Sequence, residues 1–106
     1  GGGGGGGGGR GEAAMQACAA FGVVARMEAG DSPEQACLHM LKKIAERTRE
    51  KRLLDERGRP AFNVTLYALR KDGATGSASM HEGYEHVVWR EGKAEVKKSG
   101  WLFAKG

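Results

Sequence analysis

Threonine occurs three times, and cysteine and proline twice each, in a chain of 106 residues. The threonines all have ordinary places: Thr48 in a helical pattern, Thr65 in a strand pattern, Thr75 after a turn signal. Cys18 and Cys37 come without a second pair or a Cys-x-x-Cys, a pattern that favours two buried free thiols on apolar helix faces over a disulfide or a metal site. The three histidines, His39, His81 and His86, lack metal-ligand spacing and read as solvated or interface residues. No Gly-x-Ser-x-Gly is present, and neither cysteine has a histidine partner visible in sequence. The longest mainly apolar stretch, Ala13 to Val24, is too short and alanine-rich to span a bilayer, and no charged leader with a cleavage site precedes it. The compartment stays open.

What is present is ordinary for a globular segment: 40% hydrophobic and 28% charged residues, with 17 basic against 13 acidic side chains. The basic excess is spread over Lys42 to Arg59 and Lys93 to Lys105. Glu46, Glu50, Asp55 and Glu56 interrupt the first of these and no aromatic residues are interleaved for base stacking, so it reads as a solvated face.

The chain opens on nine glycines followed by Arg10-Gly11-Glu12. They satisfy a Gly-x-Gly-x-x-Gly pattern trivially, but no strand leads in and no Gly-Lys-Ser/Thr follows, so the context of a nucleotide loop is missing. Unbroken glycine also has maximal backbone entropy. Residues 1–8 are therefore taken as a tag, or as placeholders for residues of unassigned identity.

From Glu12 to Ala29 small and apolar residues occupy nearly the whole helical circumference, with Gly30 as the stop; such a helix wants cover on several sides. In "DSPEQACLHML", Ser32 is an N-cap, Pro33 the first helical residue and Gln35 the partner in a capping box. Ala36, Cys37, Met40, Leu41 and Ile44 form the inner stripe of this second helix, which Gly58 and Pro60 end by Arg59 at the latest. "FNVTLYAL" reads as a strand, "KDG" as a hairpin turn and "ATGSASM" as a return strand whose small residues imply a closely packed layer. "YEHVVWR", "EGK" and "AEVKKS" suggest a second hairpin. Asn63-Val64-Thr65 spells a glycosylation sequon but falls inside a strand. The fold class is α+β, two helices followed by four antiparallel strands. The apolar faces exceed what 97 residues beyond the glycines can cover, implying a piece of a larger layered domain.

"GRGEAAMQACAAFGVVARMEAGDSPEQACLHMLKKI", "FNVTLYALRKDGATGSASMHEG" and "WLF" together resemble the C-terminal part of the β subunit of the glycosylasparaginase and isoaspartyl peptidase/L-asparaginase family, from about Gly9 almost to the end. The most specific elements are the Gly-x-Gly-Glu at a helix start, the Gly-x-x-Pro-x-x-Ala-Cys at the next, and the strand–turn–strand that follows. The resemblance implies a four-layer αββα sandwich of an N-terminal-nucleophile hydrolase that cuts its own precursor to free a threonine, whose α-amino group serves as base. It implies hydrolysis of the side-chain amide of asparagine, of N4-glycosylated asparagine or of isoaspartyl peptides.

In that family a Thr-Gly pair before the first of these helices forms the oxyanion hole. Gly9 matches the glycine and is the one substrate-binding residue carried over; Gly8 stands at the threonine position, a departure that favours placeholders. The family's substrate segment also contains Gly-Asp-Ser-Pro, but Glu28 occupies its arginine's place here, so Asp31 is assigned to helix-start chemistry.

The resemblance calls for no cofactor and no metal. Its implied partners are the α subunit and upstream β-subunit residues of the same precursor, assembled as a dimer of αβ units around a small amide substrate, with no nucleic acid and no membrane. No catalytic residue falls within 9–106, and the chain alone is expected to be inactive. The competing reading is a small basic interaction module, nucleic-acid-binding in one version, marked by binding that falls steeply with salt; a purely structural subunit is the third.

Overall fold

The computed structural model describes residues 7–105, with side-chain surroundings from residue 18 onward apart from Arg90. Two helices, α1 (Gly7–Glu28) and α2 (Pro33–Arg47), precede five strands: β1 (Thr65–Leu69), β2 (Thr75–His81), β3 (Glu85–Arg90), β4 (Lys93–Lys98) and β5 (Gly100–Phe103). The class is α+β, as the sequence indicates. The strand arrangement corrects the expectation of four antiparallel strands: there are five in two sheets, β1-β2-β5 and β3-β4, and β5 runs parallel to β2. A four-residue strand paired far along the chain leaves little local signal.

The turn between the helices is encoded locally. Gly30, at φ 112°, lets the amide of Asp31 reach the Arg26 carbonyl and its own amide reach Met27, a Schellman closure of α1. Ser32 Oγ then accepts from the Gln35 amide at 3.2 Å while Gln35 Oε1 accepts from the Ser32 amide at 3.1 Å, the expected capping box. α1 is described from Gly7 onward, so Gly7, Gly8 and Gly9 stand within its helical span ahead of Glu12. α2 ends at Arg47, well before Gly58. Thr48 leaves the helix with extended backbone and turns its hydroxyl back to the Ile44 carbonyl at 2.8 Å. A 3-10 turn (Lys51–Leu53) follows.

The sheet buries its α2 side and also the centre of its other side, where Ser77 and Ser79 of β2 are 1% and 0% exposed. Register pairs Leu66 with Ala78 and Ala68 with Gly76, so these four lie on the side that α2 crosses, together with Met80. Ala36, Cys37, Leu41 and Ile44 of α2 meet them, and Ala19 and Val23 of α1 close the core. The small residues of β2 do hold a layer close, because a Cβ at Gly76 would meet the backbone of Glu34. On the opposite face Tyr67 is 62% and Leu69 69% exposed on β1, and Trp101 is exposed on β5, across β2. α1 likewise leaves Phe21 and Val24 exposed.

The hairpin turns use the expected residues. Gly73, at φ 92°, closes β1–β2, with Asp72 accepting from the Ala74 amide. Glu91 and Gly92, at φ 51° and 76°, form a two-residue turn between β3 and β4 in which both central residues are left-handed.

Three aspartates tie corners and loops: Asp31 to Arg26, Asp72 to Arg70, and Asp55 to the amides of Arg57 and Arg59 and the Arg59 side chain. The Arg26 hydrogen bond holds Asp31 below the ordinary carboxylate range, the Arg70 hydrogen bond does so for Asp72, and the Arg59 amide does so for Asp55. A carboxylate more acidic in the folded than in the unfolded chain contributes stability above the unfolded value of 3.8 and loses it as pH falls through the folded value. The urea midpoint is therefore expected to hold between pH 7 and 5 and drop below pH 4, and less steeply in Asp55→Asn.

Candidate functional site

Gly9 is the third described residue of α1, in the part of the helix whose side-chain surroundings are outside the described residues. Residues 1–6 of the glycine run lie outside them altogether. Asp31 is at the α1–α2 corner, held by Arg26 through bonds of 2.9 and 3.1 Å, so both its oxygens are engaged.

Of the histidines expected as solvated or interface residues, His39 is half-buried on α2 and the other two make internal contacts. His81 is half-buried; its Nε2 lies 2.7 Å from the Pro60 carbonyl, an acceptor only, so Nε2 carries the proton. His86 is buried at the root of β3: its Nδ1 is 2.8 Å from Ser77 Oγ on β2 and 3.3 Å from Ser99 Oγ, the two hydroxyls are 2.6 Å apart, and Tyr67 meets the ring edge-on. Ser77, His86 and Ser99 come from three separate segments, and their spacing in sequence resembles no motif. Each is also a residue type that a surface hairpin tolerates, so no signal in sequence marked them.

A serine within hydrogen-bond reach of a histidine nitrogen has the geometry of a nucleophile and its base. The surroundings remove that function. Ser77 is 1% exposed, and its hydroxyl is shared between Nδ1 and Ser99, which leaves no space for a substrate carbonyl. The cluster is a polar joint between hairpin and sheet.

Among the described residues, one groove opens between the helices and another at the hairpin root. One, of about 310 Å³ between α1 and α2, has Ala19, Met40 and Ile44 as its floor and Cys18, Lys43 and Arg47 at its rim. The other, of about 230 Å³ at the hairpin root, is bounded by Glu82, Tyr84, Glu85, Lys98, Ser99 and Trp101. Neither sets a base beside a reachable nucleophile. Among the described residues no three His, Cys, Asp or Glu side chains gather as metal ligands, and no helix is long and apolar enough to cross a membrane.

The cysteines divide, correcting the expectation of two buried thiols. Cys37 is fully buried in the core, but Cys18 is exposed because α1 turns it away from the Ala19–Val23 stripe. Burial, reinforced by Glu34, pushes the Cys37 thiol up to about 11. Since the thiolate is the reactive form, alkylation of the native protein at pH 8 should label Cys18 at once and Cys37 only after unfolding, with one adduct in the intact mass before denaturant and two after.

Asn63 is occupied rather than displayed: its Oδ1 accepts from the His81 amide at 3.1 Å and its Nδ2 donates to Thr65. No protein-family model matches the chain, and no curated protein matches it.

Proposed function

We propose that this chain is the C-terminal part of the β subunit of a glycosylasparaginase-like amidohydrolase, acting on the side-chain amide of asparagine, N4-glycosylated asparagine or an isoaspartyl peptide. The observation that carries the reading is the apolar surface left open at the margins of the sheet's second face. α2 covers the face of Leu66, Ala68, Ala78 and Met80, while Tyr67, Leu69 and Trp101 on the other face stay uncovered. An apolar sheet face requires a partner layer, and a second sheet supplied by upstream residues of the same precursor would complete an αββα sandwich. β1 also presents an edge free of charge and proline, suited to accept a further strand.

In this reading the chemistry comes from a threonine upstream of residue 9. Its α-amino group takes the hydroxyl proton as the oxygen attacks the side-chain amide carbon; the C–N bond breaks and the amine leaves carrying that proton, and water then hydrolyses the ester to release the acid and restore the threonine. The role of this chain is to hold the helix that begins near Gly9, whose N–H would stabilise the oxyanion beside a hydroxyl from the preceding position.

The test is hydrolysis by the native protein, with every chain that copurifies, of asparagine, N4-(N-acetylglucosaminyl)asparagine and an isoaspartyl dipeptide. Release of aspartate from at least one supports the reading. No release from any of them by a correctly folded preparation counts against it.

A further inference from the structure

The β3–β4 hairpin is joined to the rest of the molecule differently from every other element. Its ladder is internal, β3 bonding β4 from Glu85↔Lys98 to Arg90↔Lys93, and neither strand pairs with the β1-β2-β5 sheet. All six residues of β4 are exposed. The apolar side chains Val87, Trp89 and Val96 are also exposed, Trp89 at 70%, so docking the hairpin buries little apolar surface. The inward contact is polar: His86 reaches Ser77 of β2 and Ser99, with Tyr67 of β1 against its ring. At the root, Gly83 takes φ 109° before β3, and Ser99 alone separates the end of β4 from Gly100, the first residue of β5.

We propose that the β3–β4 hairpin is an arm that opens from the sheet as a unit, with the His86–Ser77–Ser99 cluster as its latch, while the helix-covered β1-β2-β5 sheet stays folded. When it opens, each latch group exchanges a protein partner for water, so the change in hydrogen bonding is small, and the sparse apolar contact adds little resistance. A segment with these properties belongs to the low-stability end of the range over which proteins open locally. No strand of the main sheet contributes to the ladder within the hairpin, so once undocked it is an isolated two-stranded ladder, marginal in water, and its amides exchange from the open state. Opening would expose Ser77 and widen the uncovered face next to Tyr67. The proposal rests on the geometry of this chain and holds whether or not the amidohydrolase reading does.

The test is native-state hydrogen exchange, read segment by segment in the whole protein. Residues 85–98 are expected to exchange at least roughly tenfold faster than residues 65–81, and His86→Ala should accelerate 85–98 by about a further tenfold while leaving 65–81 unchanged. Ser99→Ala removes one hydroxyl and no ring, so it should give the same pattern with a smaller increment; it decides the matter if the histidine variant does not fold. A common exchange rate for the two segments in the unmodified protein overturns the proposal. So does equal acceleration of both by Ser99→Ala.

Discussion

Replacing Gly76 with alanine is expected to destabilise the protein by about 3 kcal/mol, although the change adds a single methyl group. A Cβ built at this position lies 2.6 Å from the backbone nitrogen of Glu34, 3.0 Å from Pro33 Cβ and 3.1 Å from the Pro33 carbonyl carbon. These atoms are the first turn of α2, fixed by the Ser32–Gln35 capping box, and cannot rotate aside. To admit the methyl group the helix must lift from the sheet and open the contacts of Ala36 and Cys37 behind it. The glycines facing side chains set the control. A Cβ at Gly100 meets the carboxyl end of Glu34, and one at Gly22 meets the thioether end of Met40; both can swing away, so either substitution should cost less than about 1 kcal/mol. Urea unfolding of the three variants checks the ranking. If Gly76→Ala proves as mild as Gly100→Ala, α2 does not sit as close to β2 as described.

Leu41→Ala should be comparably damaging, at about 2–5 kcal/mol. Leu41 is fully buried on α2 within the cluster that includes Ile44, Leu66, Ala68 and Met80, and truncation leaves a cavity between two rigid layers. Domains of this size have only about 5–15 kcal/mol in total, so the variant is expected to melt at least roughly 10 °C lower, while Lys42→Ala on the wet face of the same helix barely shifts the transition. Differential scanning calorimetry of the pair separates core burial from any general intolerance of substitution in α2.

What could be read in the sequence was what depends on neighbours in the chain. Gly30, Ser32, Pro33 and Gln35 fix the α1–α2 corner through bonds spanning at most five residues, and the wet face of α2 with Lys42, Lys43 and Glu46 follows from helical period alone. Both hairpin turns were legible for the same reason. Features that depend on distant partners were not. The end of α2 at Arg47 rests on the Thr48 back-bond, which competes with an otherwise helix-favouring run up to Glu56. β5 is a strand because β2 lies beside it, and β2 is more than twenty residues earlier. His86 became a buried residue because Ser77 and Ser99 converge on it from either side in the chain. The exposure of Cys18 likewise follows from which side of an almost uniformly small-residue helix meets α2, a choice that its own sequence leaves nearly degenerate.

The open face of the sheet and the glycine run at positions 1–9 meet in one question, whether this segment works inside a larger self-cleaved hydrolase. The intact mass and N-terminal sequence of the β chain in the native protein answer it most directly. The expected result is a chain heavier than 11.2 kDa that starts with threonine and contains residues 9–106, accompanied by a separate α chain. A mass of 11.2 kDa with glycine at the N-terminus would contradict it, since the run would then be genuine and no nucleophile would precede Gly9.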